Sequence, residues 1–109
     1  MTDCNMTKYH LKKRIDIIVE ALLIRTLITT LDHARVPGYS VLPILEGRGM
    51  LNAWSSAGQI SDTANMVALL CIVDAAHADE VVDAVFVAIR DRIGFVTMSD
   101  VLVLRPERF

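Results

Sequence analysis

The stretch Asn65-Met-Val-Ala-Leu-Leu-Cys-Ile-Val73 decides the fold, together with the helical pattern that follows it. It is an almost continuous apolar run, which is typical of a central strand buried on both faces. Asp74 is a suitable N-cap, because its carboxylate can accept hydrogen bonds from the first free N–H groups of a helix. Apolar residues at helical spacing then predict a helix over 75–91. They are Ala78, Val82, Val85, Phe86 and Ile89.

A strand and a helix are also predicted before this unit. Apolar residues at 15, 17 and 19 alternate with polar ones, which predicts a first strand over Arg14–Glu20. Leu22–Arg35 shows an amphipathic helical pattern, and Pro37-Gly38 ends it.

Two further strands complete the order of elements. Tyr39–Leu45 is rich in β-forming residues, but Pro43 cannot donate to a ladder, so the segment is predicted to be an edge strand or the frayed end of one. A last strand is predicted near Ser99–Leu104. The order β-α-β-loop-β-α-β predicts an α+β fold, a ferredoxin-like βαββαβ sandwich with both helices on one face of an antiparallel sheet.

Composition sets the class of protein. The 109 residues fit one domain, which we place at 14–109 after a loose N-terminal tail at 1–13. The 11 basic and 13 acidic residues create no strong field, so nucleic acid is not an expected partner. A hydrophobic fraction of 53% is high for a short chain and predicts that other subunits cover part of the surface, as in a closed ring.

Cysteine usage and hydropathy point to the cytoplasm. Cys4 and Cys71 have neither CxxC spacing nor a disulfide-framework pattern, so both are expected to be reduced thiols, with Cys71 in the core. The apolar runs are too short to span a bilayer, and no leader sequence is recognised.

The segment Glu46–Asn65 is the candidate functional loop, because it is longer than a compact domain normally uses for a connection. Its start, Gly47-Arg48-Gly49, is either a clasp for a phosphate or another small anion, or a Gly-rich hairpin tip with a solvated Arg. Trp54 is either an anchor for a partner or a residue that packs back onto the domain.

Catalysis and metal binding have little support. His10, His33 and His77 fall in a tail, at a helix end and at a helix start, and form no set of nucleophile, base and orienting group. His33 suits the helix dipole better than a metal. Besides a binding function of the loop, two classes remain open: a small ferredoxin-like enzyme, and a structural or scaffold oligomer, which would leave the long loop without a role.

Several short motifs resemble the PII signal-transduction proteins. They are Pro37-Gly-Tyr-Ser-Val41 before the second strand, Glu46-Gly-Arg-Gly49 at the start of the loop, and Arg105-Pro-Glu107 near the C-terminus. The resemblance covers most of 14–108. It implies a non-catalytic homotrimer that binds adenine nucleotides (ADP, ATP or AMP) in three clefts between subunits and signals to a partner through the 46–65 loop.

The same resemblance implies the nucleotide-binding residues. Ser40 takes the place of the hydroxyl that faces adenine, and Arg105 that of an arginine that reaches the phosphates. Arg90 and Arg92 lie where a neighbouring subunit contributes its phosphate-binding loop. The full set is Ser40, Gly47, Arg48, Gly49, Arg90, Arg92, Gly94, Arg105 and Arg108.

The departures from the family pattern are equally specific. Met50-Leu51 replaces the Arg-Gln that continues the loop start, and no lysine follows Lys13, so 2-oxoglutarate sensing is not expected. The loop has no tyrosine, which excludes tyrosine uridylylation. The chain looks most similar to the branch associated with carboxysomes and inorganic-carbon uptake. That branch suggests bicarbonate as a second ligand and a transporter or carboxysome-related component as the partner.

The central part of the loop is the expected partner-binding surface. It contains Trp54, Ser55 and Ser56. No metal and no cofactor beyond the nucleotide ligands is expected.

Overall fold

The computed structural model describes residues 9–48, 53–55 and 65–104, and within 46–48 and 53–55 only the backbone. Two helices and six strands follow one another along these residues. They are β1 His10–Glu20, α1 Ile24–His33, β2 Tyr39–Pro43, β3 Glu46–Arg48, β4 Ala53–Ser55, β5 Met66–Val73, α2 Ala75–Ile89 and β6 Gly94–Val103. A short 3-10 helix, Ala21–Leu23, leads from β1 into α1.

The main sheet has four antiparallel strands in the order β2-β5-β1-β6. The predicted ferredoxin-like α+β fold is therefore confirmed. β5 lies between two strands, as its apolar run predicts, and β2, which contains Pro43, is at an edge. The two edges of the sheet are thus β2 and β6.

The hydrophobic core lies between one face of this sheet and the two helices. Ile15, Ile17 and Val19 of β1 have no exposed surface, and they pack with the inner sides of α1 and α2. Alternate residues of each strand point to opposite faces, so the residues between them in β1 lie on the face without helices. Burial of the apolar stripe of each helix against β1 and β5 holds the two layers together.

A row of apolar residues crosses the helix-free face. The strand registers align Leu42, Ala68, Ile18 and Phe95 side by side from one edge to the other. Leu42 and Phe95, at the two ends of the row, are 46% and 45% exposed. The apolar second face that the sequence predicts is therefore present.

The first strand starts at His10, so its predicted start at Arg14 is wrong. Residues 10–13, which we had assigned to the tail, pair with β6. Lys12 forms an ion pair with Asp74, and the Lys13 ammonium lies 2.5 Å from the Asp100 carboxylate. Each lysine of this part of β1 thus has an oppositely charged partner beside it in space. Because these partners are far along the chain, the local periodicity of the sequence does not indicate them.

The last strand also starts earlier than predicted, at Gly94 rather than near Ser99. Its polar residues 97, 99 and 100 are exposed on an edge strand, so an alternating apolar pattern does not mark them. Residues 94–98, which lie before the predicted start of this strand, are therefore part of the sheet.

Helix ends differ from the predictions in their chemistry. Asp74 occupies the N-cap position of α2, but its side chain makes no capping hydrogen bond and instead pairs with Lys12. α1 ends at His33, before Pro37-Gly38, because Arg35 adopts a left-handed conformation with φ 62°. The Arg35 and Val36 N–H groups then donate to the Asp32 and Leu31 carbonyls, which satisfies the helix end.

β3 and β4 form a separate two-stranded ribbon at the start of the long loop. Glu46, Gly47 and Arg48 pair with Ser55, Trp54 and Ala53. The predicted connection between β2 and β5 thus has secondary structure of its own.

Cys71 is a core residue, as predicted, with 2% of its surface exposed. Burial raises the pKa of its thiol to about 11, and the nearby Asp16 carboxylate adds to the rise. The thiol therefore stays protonated and unreactive at neutral pH. Cys4 lies outside the described residues.

Candidate functional site

The turn between α2 and β6 carries three of the predicted nucleotide-binding residues: Arg90, Arg92 and Gly94. α2 ends at Ile89, and the Arg92 N–H donates to the Ile89 carbonyl oxygen at 2.8 Å, which closes the turn. Gly94 then starts β6 opposite Val19. The turn therefore packs beside the C-terminal end of β1.

Glu20, the last residue of β1, contacts this turn through its side-chain carboxylate. Its Oε1 accepts a hydrogen bond from the Ile93 N–H at 3.2 Å and lies 3.5 Å from Arg92 Nε. The Glu20 side chain is 5% exposed and the Arg92 side chain 44%. The carboxylate is thus enclosed by protein, while the outer part of the guanidinium side chain faces solvent.

Glu20 is also the one buried charged side chain among the described residues. Burial of an unpaired carboxylate is costly, so its partners Arg92 and Ile93 are part of what makes this arrangement possible. Glu20 was not among the site residues predicted from the sequence. The sequence shows only a carboxylate at the end of an apolar strand, and this pattern does not indicate that its partners are Arg92 and Ile93.

A groove of about 410 Å³ opens between α2 and the β6 edge. Its walls are mostly apolar, and its charged lining residues are Arg90, Arg92 and Asp83, two cations for one carboxylate. The apolar lining residues include Val82, Phe86, Ile89 and Phe95. Phe86 is 58% exposed. The groove can therefore receive a ligand that has both an apolar and an anionic part.

Gly94 has a packing role at this position. A Cβ atom on Gly94 would lie 2.6 Å from the Ile18 carbonyl oxygen and 2.7 Å from Val19 Cγ1. Only a residue without a side chain lets β6 approach β1 this closely. Its place in the sequence is thus explained by the sheet, with or without a ligand.

Ser40 lies at the opposite edge of the sheet. It is exposed in β2 and pairs with Leu70 of β5. The strand order separates β2 from β6 by three strand spacings, roughly 14 Å. One chain therefore does not bring Ser40 together with Arg90, Arg92 and Gly94.

The other predicted site residues fall outside what can be described in atomic detail. Gly47 and Arg48 lie in β3, and Trp54 and Ser55 in β4, with the backbone alone described. Gly49, Ser56, Arg105 and Arg108 are outside the described residues. Their roles stay predictions.

A second, smaller cavity of about 180 Å³ lies at the other end of the sheet. Lys12, Arg35, Asp74 and His77 contribute to its lining. His77 Nε2 hydrogen-bonds to the Ala34 carbonyl oxygen, and its Nδ1 lies 3.4 Å from Glu80 Oε1. His77 thereby links the start of α2 to the end of α1.

The family model of nitrogen regulatory protein P-II matches residues 12–108. The chain belongs to the P-II family. The resemblance drawn from its short motifs is therefore confirmed.

Solved structures share this P-II fold at low sequence identity. CPII of Thiomonas intermedia K12, in a structure with ADP, AMP and bicarbonate bound, is 21% identical, with a TM-score of 0.83 over 94% of this chain and 97% of that one. A PII-like signalling protein of Thermus thermophilus is 18% identical, with a TM-score of 0.76 over 94% and 98%. At these identities the likeness establishes the fold.

A more distant structure has the same architecture. A DUF3240 family protein of Shewanella baltica is 11% identical, with a TM-score of 0.66 over 83% of this chain and 89% of that one. Comparison with curated proteins gives no significant match.

Neither helix in the described part of the chain is long and apolar enough to cross a lipid bilayer. Within the same residues, no three His, Cys, Asp or Glu side chains come together in a group that could hold a metal ion.

Proposed function

We propose that this P-II family member is a non-catalytic regulatory protein of the cytoplasm. It binds adenine nucleotides in clefts between the subunits of a homotrimer, takes bicarbonate as a second ligand, and signals to a partner through the 46–65 loop. The family match over 12–108 supports the regulatory class. The ligands follow CPII, whose structure contains ADP, AMP and bicarbonate.

The separation of Ser40 from Arg90 and Arg92 carries the proposal that the site lies between subunits. A nucleotide needs a pocket for its base and cations for its phosphates in one place, and these residues occupy opposite edges of the sheet. A second chain that presents its β2 edge to the β6 edge of the first would bring them together.

The apolar row across the helix-free face supports the trimer. Leu42 and Phe95 leave about half of their surface in water in the single chain, and Ile18 and Ala68 connect them. Contact with other subunits would remove this surface from water, at about 25 cal/mol for each Å² of apolar area. A closed ring lets identical chains cover it without leaving an open end.

Arginine is the cation of the proposed phosphate site. The sequence has no lysine after Lys13, so Arg48, Arg90, Arg92, Arg105 and Arg108 are the candidates. Guanidinium groups donate two parallel hydrogen bonds to a phosphate or to a planar anion such as bicarbonate.

Calorimetric titration with ADP tests the proposal. We expect saturable binding by the wild-type protein and a trimer mass in sedimentation equilibrium. Arg105→Ala should weaken ADP binding by about 1.5–3 kcal/mol, the typical loss of a charge-assisted hydrogen bond, and leave the trimer intact. Arg25→Ala, on the exposed side of α1, is the control and should bind as wild type does.

The results that would contradict the proposal are equally clear. A wild-type protein that binds no adenine nucleotide would leave the structural oligomer and the enzyme as the remaining classes. If Arg105→Ala binds ADP normally, the C-terminal segment is not part of the site. A rise in ATP affinity on addition of 2-oxoglutarate and magnesium would overturn our interpretation of Met50-Leu51.

A further inference from the structure

The buried position of Glu20 needs an explanation beyond the fold. Three features meet there: a carboxylate enclosed by protein, a hydrogen bond from the Ile93 N–H, and an ion pair with Arg92. Burying a carboxylate costs free energy that an ion pair only partly returns, and an apolar residue of similar size is often as stabilising. Glu20 is therefore better explained by what it does to the turn above it.

We propose that Glu20 is the positioning residue of the phosphate site, which it serves by fixing the direction of the Arg92 guanidinium. This inference rests on the nucleotide-binding function proposed above. Glu20 Oε1 lies beside Arg92 Nε, so it attracts the inner edge of the guanidinium group. Within the described residues, no ion pair involves the two terminal nitrogens, which can donate to a ligand.

The fixed direction of its guanidinium group should increase the affinity of Arg92 for an anion. An exposed arginine side chain on a turn samples many rotamers, and binding must then offset the loss of that rotamer entropy. In this structure the turn is held at Ile93 and the side chain at Nε, so much of that entropy is lost before a ligand arrives. A planar group held this way suits bidentate contact with a phosphate.

Charge also affects the choice of ligand at this turn. The Glu20 carboxylate neutralises part of the Arg92 charge, so an anion gains little from charge alone and must meet the donors in the right geometry. We therefore expect this turn to distinguish ADP from adenosine through directed hydrogen bonds, and to hold free inorganic phosphate poorly.

Glu20→Gln is the decisive variant, because the amide keeps the shape and the acceptor for the Ile93 N–H but removes the charge that holds Arg92. We expect its affinity for ADP to fall by roughly tenfold, which corresponds to about 1.4 kcal/mol, with adenosine affinity unchanged. Glu80→Gln, an exposed carboxylate on α2, is the matched control and should change neither affinity.

Two further variants separate positioning from stability. Arg92→Lys keeps the charge but loses the planar pair of donors, so we expect the same selective loss of ADP affinity. In the Arg92→Ala background, Glu20→Gln should cause no further loss. If Glu20 only stabilises the fold, Glu20→Gln will lower the melting temperature and leave the ratio of ADP to adenosine affinity as in wild type, which would overturn the proposal. A gain in ADP affinity would overturn it as well.

A measurement without ligand keeps this proposal distinct from the proposed function. In an NMR spectrum of the free protein, the Arg92 side chain should show one preferred conformation in wild type and averaging among rotamers in Glu20→Gln. If wild type binds neither ADP nor adenosine but this preferred conformation is present, the nucleotide function fails while Glu20 still holds Arg92. If the Arg92 side chain is averaged among rotamers in wild type, Glu20 does not position it.

Discussion

The two edges of the sheet differ in how much of their structure the chain itself holds in place. At the β6 edge, the turn before the strand is tied to buried Glu20, and Gly94 fits tightly against Ile18 and Val19. At the β2 edge, every residue from Tyr39 to Pro43 is exposed. The β6 edge is thus preorganised within one chain, whereas the β2 edge offers surface that the chain does not use for its own packing.

The largest expected difference between the two edges is in the effect of replacing a glycine on the free energy of unfolding. Gly94→Ala places a methyl group within 2.6 Å of a backbone oxygen, whereas the same change at Gly38, just before β2, meets nothing within 4 Å. We expect Gly94→Ala to lower the free energy of unfolding by about 1–3 kcal/mol, the usual cost of overpacking. Urea denaturation measures the change.

Gly38→Ala is the matched control at the open edge. It should alter the free energy of unfolding by no more than about 0.5–1 kcal/mol, with a gain where the methyl group restricts the unfolded chain. Equal losses for the two variants would show that the edges do not differ in packing as described.

We expect the next largest effect from Ser40→Ala, which should weaken ADP binding without lowering the stability of the fold. Ser40 is exposed, so its hydroxyl adds little to the fold of one chain. If it faces the base of a nucleotide between subunits, its loss should weaken ADP binding by about 0.5–1.5 kcal/mol, the net value of one hydrogen bond. Calorimetry and thermal unfolding of the same variant separate the two properties, and a lower melting temperature with unchanged binding would contradict this assignment.

The Lys12–Asp74 pair should have the smallest effect, since exposed ion pairs contribute little. The hydrogen bond from Lys12 and its charge hold the pKa of the Asp74 carboxyl below its ordinary value of 3.8. A lowered folded-state pKa means that the contribution to stability is present above that value and is lost as pH falls through the folded pKa.

Urea denaturation at a series of pH values tests this pair. Asp74→Asn should be slightly less stable than wild type at pH 7, and the difference should disappear in acid below the folded-state pKa. In a Lys12→Met background, Asp74→Asn should make no such pH-dependent difference. A difference that grows on acidification would show that Asp74 is not stabilised by Lys12.

Strands and helices that bury one face were predictable, because their apolar residues recur at a regular spacing in the sequence. The alternation at Ile15, Ile17 and Val19 and the apolar run of β5 were sufficient to predict strands, because burial on one or both faces demands these patterns. The family resemblance then depended on short motifs at Pro37–Val41, Glu46–Gly49 and Arg105–Glu107.

Features that depend on partners far along the chain were not predictable. Lys12 and Lys13 form ion pairs with Asp74 and Asp100, which lie far along the chain, so local periodicity did not show that they belong to a strand. The same limit hid Glu20, whose role depends on Arg92 and on the Ile93 N–H. Periodicity reports burial, whereas these contacts depend on how distant segments meet.

The order β2-β5-β1-β6 also has a consequence for synthesis on the ribosome. β1 and β2 are not neighbours, so the first half of the chain contains two strands of the main sheet that have no partner in each other. Neither can join that sheet until β5 has been made, and β1 gains its second neighbour only with β6. Sheet formation in the growing chain must therefore wait for its C-terminal half.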